Sequence, residues 1–303
     1  MRYSIVLSYA GAGFCGWQRQ PSDPSVQECL EDALGKLLGG DVPVIGAGRT
    51  DTGVNAVGYV ACFDGPEGLA ADDFCYKLNA ILPRSVVVTR IAPAAQDFHP
   101  RFDARRREYT YFLHRSKDPF VEAFSWQCGY PGLDFEAMNA AAALLVGTHD
   151  FSCFEKVGAD NKTSVCTVSE AFWAPYVPTH LAICGCPGQP SAAGKGPVCV
   201  PQGAPSTGIA RPYDALALPG AAAGEEVPSY WYFRISADRF LRNMVRAIVG
   251  TLIEVGRGKR SVDDFAGLIL PADNPSAKSK GPNRSLAGES VPGHALFLSK
   301  VEY

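Results

Sequence analysis

Residues 46–63 read GAGRTDTGVNAVGYVACF. The second half alternates: Val57, Tyr59, Ala61 and Phe63 share one side, and Gly58, Val60 and Cys62 the other. That is the two-residue period of a buried strand. The first half breaks it. Gly46, Gly48 and Gly53 bracket Arg49-Thr50-Asp51-Thr52. The glycines let the backbone turn sharply and let a ligand come close, so a cation and a carboxylate are presented on an accessible loop. Asp51 in that place can be a nucleophile, a general base or a metal ligand, or it can cap the amides of its own turn. A phosphate-cradling loop fits poorly, because the glycine-lysine-serine or -threonine ending is missing.

Working outward, the pattern alternates strands and helices. Residues 2–9 read as a strand. SVQECLEDALGKLLGG reads as a helix with Ser25 as N-cap, Glu28 completing a capping box, an apolar stripe of Leu30, Leu34, Leu37 and Leu38, and Gly39 as its end. DDFCYKLNAIL reads as a second helix stopped before Pro83, and SVVVTRIA as a strand. The order then restarts near residue 104. EYTYFLHR, SVCTVSEAFW, YWYFRIS and the closing ALFLSKVEY read as strands. DFEAMNAAAALLVG reads as a helix from Asp134 to Gly147, RFLRNMVRAIVGTLIEVG as a long helix stopped by Gly256, and SVDDFAGLIL as a helix capped by Ser261. Two halves of similar order predict two related units facing each other, residues 1–104 and 105–303. Residues 175–228 stand apart: ten prolines and eight glycines predict a largely irregular insertion between two strands.

The chain has 303 residues, 47% of them hydrophobic and 19% charged, enough for a sizeable core. It contains no apolar run of membrane-spanning length. MRYSIVLSYAG alternates like a strand rather than reading as a secretory signal, so the expected location is the cytoplasm. The ten cysteines are scattered, as reduced core residues of such a chain would be. Cys184-x-Cys186 with Cys199 misses the usual zinc spacing, and no metal is expected. The net charge of −3 argues against a passive nucleic-acid coat. Local charge decides contact, however, and the basic residues cluster: Arg101 with Arg105, Arg106 and Arg107, then Arg239, Arg242 and Arg246, then Arg257, Lys259 and Arg260.

Two of these clusters carry chemistry. In DFHPRFDARRREYTYFL, residues 97–113, four arginines interleave with Phe98, His99, Phe102, Tyr109 and Tyr111. Cations suit phosphates and rings suit bases. Tyr109 and Tyr111 fall on one strand face, and Tyr111 reads as a core residue. In DRFLRNMVRAIVG, Phe240, Leu241, Met244, Val245, Ile248 and Val249 form a buried stripe, while Arg239, Arg242 and Arg246 share another helix face. Arg246 lies between Val245 and Ala247 in an apolar turn. A half-buried arginine needs an anion, and Asp51 is a candidate.

GAGRTDTGVNA, FHPRFDARRREYTYFL, LLVGTHDFSCF, FLRNMVRAIVGTLIEVG and AGESVPGHALFLSKVEY together resemble, in order and spacing, the TruA family of tRNA pseudouridine synthases. The likeness covers nearly all of the chain outside 175–228. It implies an α+β fold: two related α/β subdomains with mixed, mainly antiparallel sheets that form a central sheet, and an active-site cleft between them. It implies a cofactor-free homodimer that isomerises uridine to pseudouridine at positions 38, 39 and 40, in the anticodon stem-loop of tRNA. Carried over by motif, Asp51 is the catalytic aspartate and Arg49 helps hold the target base out of the helix. Tyr109 packs on the flipped uracil, and Arg246 pairs with the carboxylate. Arg101, Arg105, Arg106, His99 and Asn55 are the remaining candidates for substrate contact. A uridine must leave its stack to expose the glycosidic bond, which explains the flipping residues.

The chain departs from the family at two places. Asn55 stands where a histidine is usual, and an asparagine cannot titrate. SVCTV follows FSCF where an arginine is usual, so one RNA or base contact is either missing or supplied by Lys162. Two alternatives within RNA chemistry are a related synthase with another uridine target and a catalytically silent RNA-binding protein. The intact set of Asp51, Tyr109 and Arg246 favours the enzyme. A metal-dependent hydrolase built on Asp51, His99, His149 and Asp150 lacks helical ligand spacing.

Overall fold

The structure, a computed structural model, describes residues 1–156, 158, 163–184, 229–272 and 284–303. In chain order the elements are β1 (Arg2–Tyr9), α1 (Val26–Leu38), β2 (Ile45–Gly46), β3 (Asn55–Asp64), α2 (Ala71–Ile81) and β4 (Val86–Pro93). There follow β5 (Arg106–His114), β6 (Trp126–Gln127), α3 (Phe135–Ala143), β7 (Gly147–Asp150), β8 (Val165–Pro175) and α4 (Thr179–Cys184). The chain closes with β9 (Tyr230–Ala237), α5 (Met244–Gly256), α6 (Val262–Ala266), β10 (Leu270–Pro271) and β11 (Leu296–Glu302).

Among the described residues, eleven strands join one mixed, mainly antiparallel sheet, in the order β10-β7-β8-β9-β5-β11-β3-β1-β4, with β2 on β3 and β6 on β5. The hinge of this order is β11. The last strand of the chain lies antiparallel to β5 and parallel to β3, so it stitches the first half of the chain to the second. The apolar partners along it explain why. Leu296 opposes Tyr111 and Leu298 opposes both Tyr109 and Ala56, so one face of the sheet is apolar across the seam.

Helices cover that face in two groups. On the first half, Leu30 and Leu34 of α1 and Phe74 and Leu78 of α2 pack with Tyr3, Ile5, Leu7, Tyr59 and Phe63. On the second, Met138 and Ala141 of α3 and Ile248, Val249 and Leu252 of α5 pack with Tyr111, Phe233 and Ile235. Tyr109 touches both groups, and Val54, at the end of the Asp51 loop, is buried in the second. The opposite face is mixed: Phe112, Phe172, Tyr232 and Phe297 are half-exposed there, beside Arg106–Glu170 and Arg234–Glu108 ion pairs.

Several expectations need correction. The long helix does not begin at Arg239. Asn243 adopts a left-handed conformation (φ 65), and α5 starts only at Met244. Arg239 and Arg242 therefore lie in the preceding loop and share no helix face with Arg246. The helix from Asp134 ends at Ala143, and Gly147 instead opens β7. The helix capped by Ser261 is a short α6, with its capping box made by Asp264. In α1, Ser25 accepts the Glu28 amide, but the Glu28 carboxylate turns to Arg19 at 3.7 Å. Val57 is 51% exposed although it belongs to the expected inner row. An extra residue in β3 opposite Leu7–Tyr9, with Gly58 at φ 67, forms a bulge that turns it outward. The expected insertion at 175–228 begins as regular structure: β8 runs to Pro175, the Tyr176 ring packs on Phe112, and α4 follows. The rest of that stretch, Lys162, Cys186 and Cys199 lie outside the described residues.

Candidate active site

The loop between β2 and β3 rests on an aromatic platform. The Trp17 and Tyr59 rings stack at 4.2 Å, with Tyr9 at 5.7 Å from Tyr59. From this platform the Tyr9 hydroxyl meets Thr50 Oγ1 at 2.9 Å, and the Tyr59 hydroxyl donates to the Gly48 carbonyl at 2.5 Å while accepting its amide at 3.2 Å. The Trp17 amide donates to the Thr50 carbonyl at 3.3 Å, and the Gly53 amide to the Phe14 carbonyl at 3.2 Å. The fit is close enough to demand glycine at position 16. A Cβ there would lie 2.3 Å from the Thr50 carbonyl oxygen, on a backbone with φ +94. These bonds fix the loop at Gly48, Thr50 and Gly53.

Asp51 closes the turn, its carbonyl accepting the Val54 amide at 3.1 Å, which leaves its carboxylate free to face outward. Arg246 comes to it from the first turns of α5. Its Nη1 lies 3.6 Å from Asp51 Oδ2, and its Nε donates to the Val291 carbonyl at 2.7 Å. The second bond aims the first. The two side chains remain 22% and 26% exposed, so the pair is accessible to a substrate. Tyr109 stands on the β5 face beneath it. Its ring meets Phe240 edge-on at 4.9 Å, and the Asp51 charge reaches its phenol. Burial, opposed by the Arg107 charge and aided by that of Asp51, pushes the phenol up to about 12, so it stays protonated at neutral pH. Two residues on, Tyr111 is fully buried, and burial raises its phenol further still. Its hydroxyl has no hydrogen-bond partner among the described residues.

The other sequence candidates lie at varied distances from this pair. Arg49 is exposed on the loop and forms no ion pair with the described residues. Arg101 and Arg105 are exposed on the approach to β5. His99 shapes that approach: its amide donates to Asp103 at 2.9 Å, its Nδ1 accepts the Arg101 amide at 3.2 Å, and its ring packs on Phe102. Arg106 points to the other face of β5, where Nε donates to Ser236 Oγ at 3.0 Å and Nη2 lies 3.7 Å from Glu170. Asn55 is 2% exposed, and its amide is consumed by the backbone. It donates to the His294 carbonyl at 2.7 Å and accepts the Gly11 amide at 2.8 Å, tying the loop to the segment before β11. His149 and Asp150 lie in β7, paired with β8 and β10, and the Asp150 carboxylate accepts the Ser152 amide. Among the described residues no group of three metal-ligating side chains converges.

Arg107 stands in the sequence only as one of four clustered arginines. Its guanidinium turns inward, to main-chain carbonyls on both halves of the sheet. Such acceptors leave no mark in a sequence.

A family model described as tRNA pseudouridine synthase matches residues 5–103 and 141–303. The chain is 40% identical over its whole length to the tRNA pseudouridine synthase A of Porphyromonas gingivalis, covering 97% of that protein. It is likewise 40% identical, over its whole length, to that of Bacteroides fragilis, covering 96% of it. The protein of the same name from a Geobacter species is 33% identical over 99% of this chain. With the Asp51 loop, Tyr109 and Arg246 gathered at one seam and relatives matching from end to end, the chain belongs to the tRNA pseudouridine synthase family of isomerases.

Proposed function

We propose that this chain converts uridine to pseudouridine at positions 38, 39 and 40 in the anticodon stem-loop of tRNA, with Asp51 as the catalytic carboxylate. The observation that carries the reading is the 3.6 Å pairing of Asp51, on a loop clamped from several sides, with Arg246 of α5, both side chains partly exposed. The reaction breaks the N1–C1′ bond, turns the uracil, joins C5 to C1′, and moves one proton from C5 to solvent while N1 gains another. A positioned carboxylate is the group such a sequence needs, as nucleophile or base. Arg246 holds it. Tyr109, neutral and buttressed by Phe240, offers a flat apolar surface for the extruded base. Arg49 is free to occupy the gap that the base leaves. Arg101 and Arg105, exposed, supply phosphate contacts, with His99 shaping their turn. Asn55 acts by holding the loop, and Arg106, engaged with Glu170, contributes least.

The same reading takes residues 1–104 and 105–303 as two related units with the cleft between them, and a homodimer as the working form. The half-exposed rings on the open sheet face favour association. No helix among the described residues is long and apolar enough to cross a membrane, in keeping with work in the cytoplasm. Mass spectrometry of tRNA from a strain lacking the gene tests the assignment. Uridine should replace pseudouridine at positions 38–40, and the plasmid-borne wild type should restore it. Unchanged tRNA in the deletion strain would refute it.

A further inference from the structure

Arg107 is a half-buried cation with no carboxylate within 4.0 Å among the described residues. It stands two residues before Tyr109 on the same face of β5. Its partners are three carbonyl oxygens from three separate segments. Nη2 donates to Ala47 at 3.0 Å and to Arg101 at 2.6 Å, and Nη1 donates to Asp238 at 3.0 Å. Ala47 is the root of the Asp51 loop. Arg101 is in the turn that carries the exposed cations. Asp238 begins the segment whose Phe240 buttresses Tyr109 and which leads into α5 and Arg246.

Burying a guanidinium without an anion is unfavourable, and burial lowers the basicity of Arg107. What the planar fork supplies is geometry, since one rigid group donates in fixed directions to several acceptors. We infer that Arg107 is a positioning residue for the reaction, locking the Asp51 loop, the Arg101 turn and the Phe240 segment into one arrangement across the seam of the sheet. This rests on the proposed activity for its kinetic consequence but not for its structural one, and the two are separable.

The test compares Arg107→Lys and Arg107→Met with the wild type. Lysine keeps the charge but cannot reach three carbonyls, so both variants should behave alike. Amide hydrogen exchange, which needs no turnover, should quicken at least about tenfold in residues 46–54, 99–103 and 238–243 and stay unchanged in α1 and α2. With tRNA as substrate, kcat should fall about tenfold to a hundredfold while tRNA affinity stays within about threefold, because ångström misplacement of catalytic groups costs that much. Unchanged exchange in the three segments would overturn the inference whether or not the wild type turns over. So would a lysine variant with wild-type kcat. A parallel loss of binding and kcat would make Arg107 an RNA contact instead, and general loss of exchange protection would make it a fold element only. A wild type without turnover, but with the predicted exchange pattern, would sink the proposed activity and leave the clamp standing.

Discussion

Replacing Arg246 by leucine removes one cation from the seam and leaves its apolar neighbours intact. At the 3.6 Å observed, two unit charges attract by about 4.6 kcal/mol at an effective dielectric near 20 and by about 1.2 kcal/mol in bulk water. The side chains are 22% and 26% exposed, so the pair falls between these limits, at about 2–3 kcal/mol. If that energy holds the Asp51 carboxylate in line, its loss lowers kcat about 30- to 150-fold, at about 1.4 kcal/mol per factor of ten. The lost Nε bond to the Val291 carbonyl costs stability about 1 kcal/mol more. Arg246→Lys should fall in between, since one ammonium cannot serve Asp51 and Val291 together. Arg239→Leu, outside α5, should cost no more than about threefold in kcat. Steady-state pseudouridine formation on an anticodon stem-loop, with melting curves for each variant, measures all of this. Equal kcat losses in Arg246→Leu and Arg239→Leu would refute the reasoning.

Other outcomes follow from the same geometry. Gly16→Ala should lower stability by about 1–3 kcal/mol and reduce turnover, because its Cβ meets the Thr50 carbonyl at 2.3 Å. Gly13→Ala, with nothing within 4 Å, should do neither, and melting curves compare the two. In filter binding across salt, Arg101→Ala with Arg105→Ala should flatten the log–log slope by about one unit per lost phosphate contact, and Arg106→Ala should leave it alone. His114 is fully buried with Nδ1 2.9 Å from Ser125 Oγ, and burial holds its pKa below the ordinary value. Glu122 Oε2, 3.4 Å from Nε2, offsets part of that effect. The unfolded chain therefore takes up a proton near about pH 6.5 that the folded chain takes up only at lower pH, so stability falls as pH drops through that point. In His114→Gln that part of the pH dependence of melting should vanish.

What was legible in the sequence is what depends on local pattern. Alternation marks β1, and the Ser25 cap and Gly39 stop mark α1, because each is settled by neighbours a few residues away. A lone cation between Val245 and Ala247 announces its need for an anion, whichever anion the fold then supplies. The start of α5 was not legible. Nothing local distinguishes Arg239–Asn243 from a helical turn, and the left-handed Asn243 follows from tertiary ties such as its bond to Ser290 Oγ. The outward turn of Val57 was hidden for a like reason, as a bulge needs its partner strand. The joining of both halves through β11 was hidden too, since it pairs residues some 240 positions apart, such as Leu298 with Ala56. Asn55 looked like a substrate group by its place in a motif, whereas its amide is bonded to carbonyls near His294 that only the fold brings close.

The central claim is that Asp51 is the reacting carboxylate, and Asp51→Asn tests it most directly. The change is nearly isosteric, and because the turn is closed by the Asp51 carbonyl rather than its side chain, the loop should survive. Single-turnover tritium release from uridine-labelled tRNA, paired with filter binding of the same tRNA, reads chemistry and affinity separately. The account predicts turnover below about a hundredth of wild type, with binding unchanged within about tenfold or slightly tighter. Turnover that persists above that level, or turnover and binding that collapse together, would contradict it.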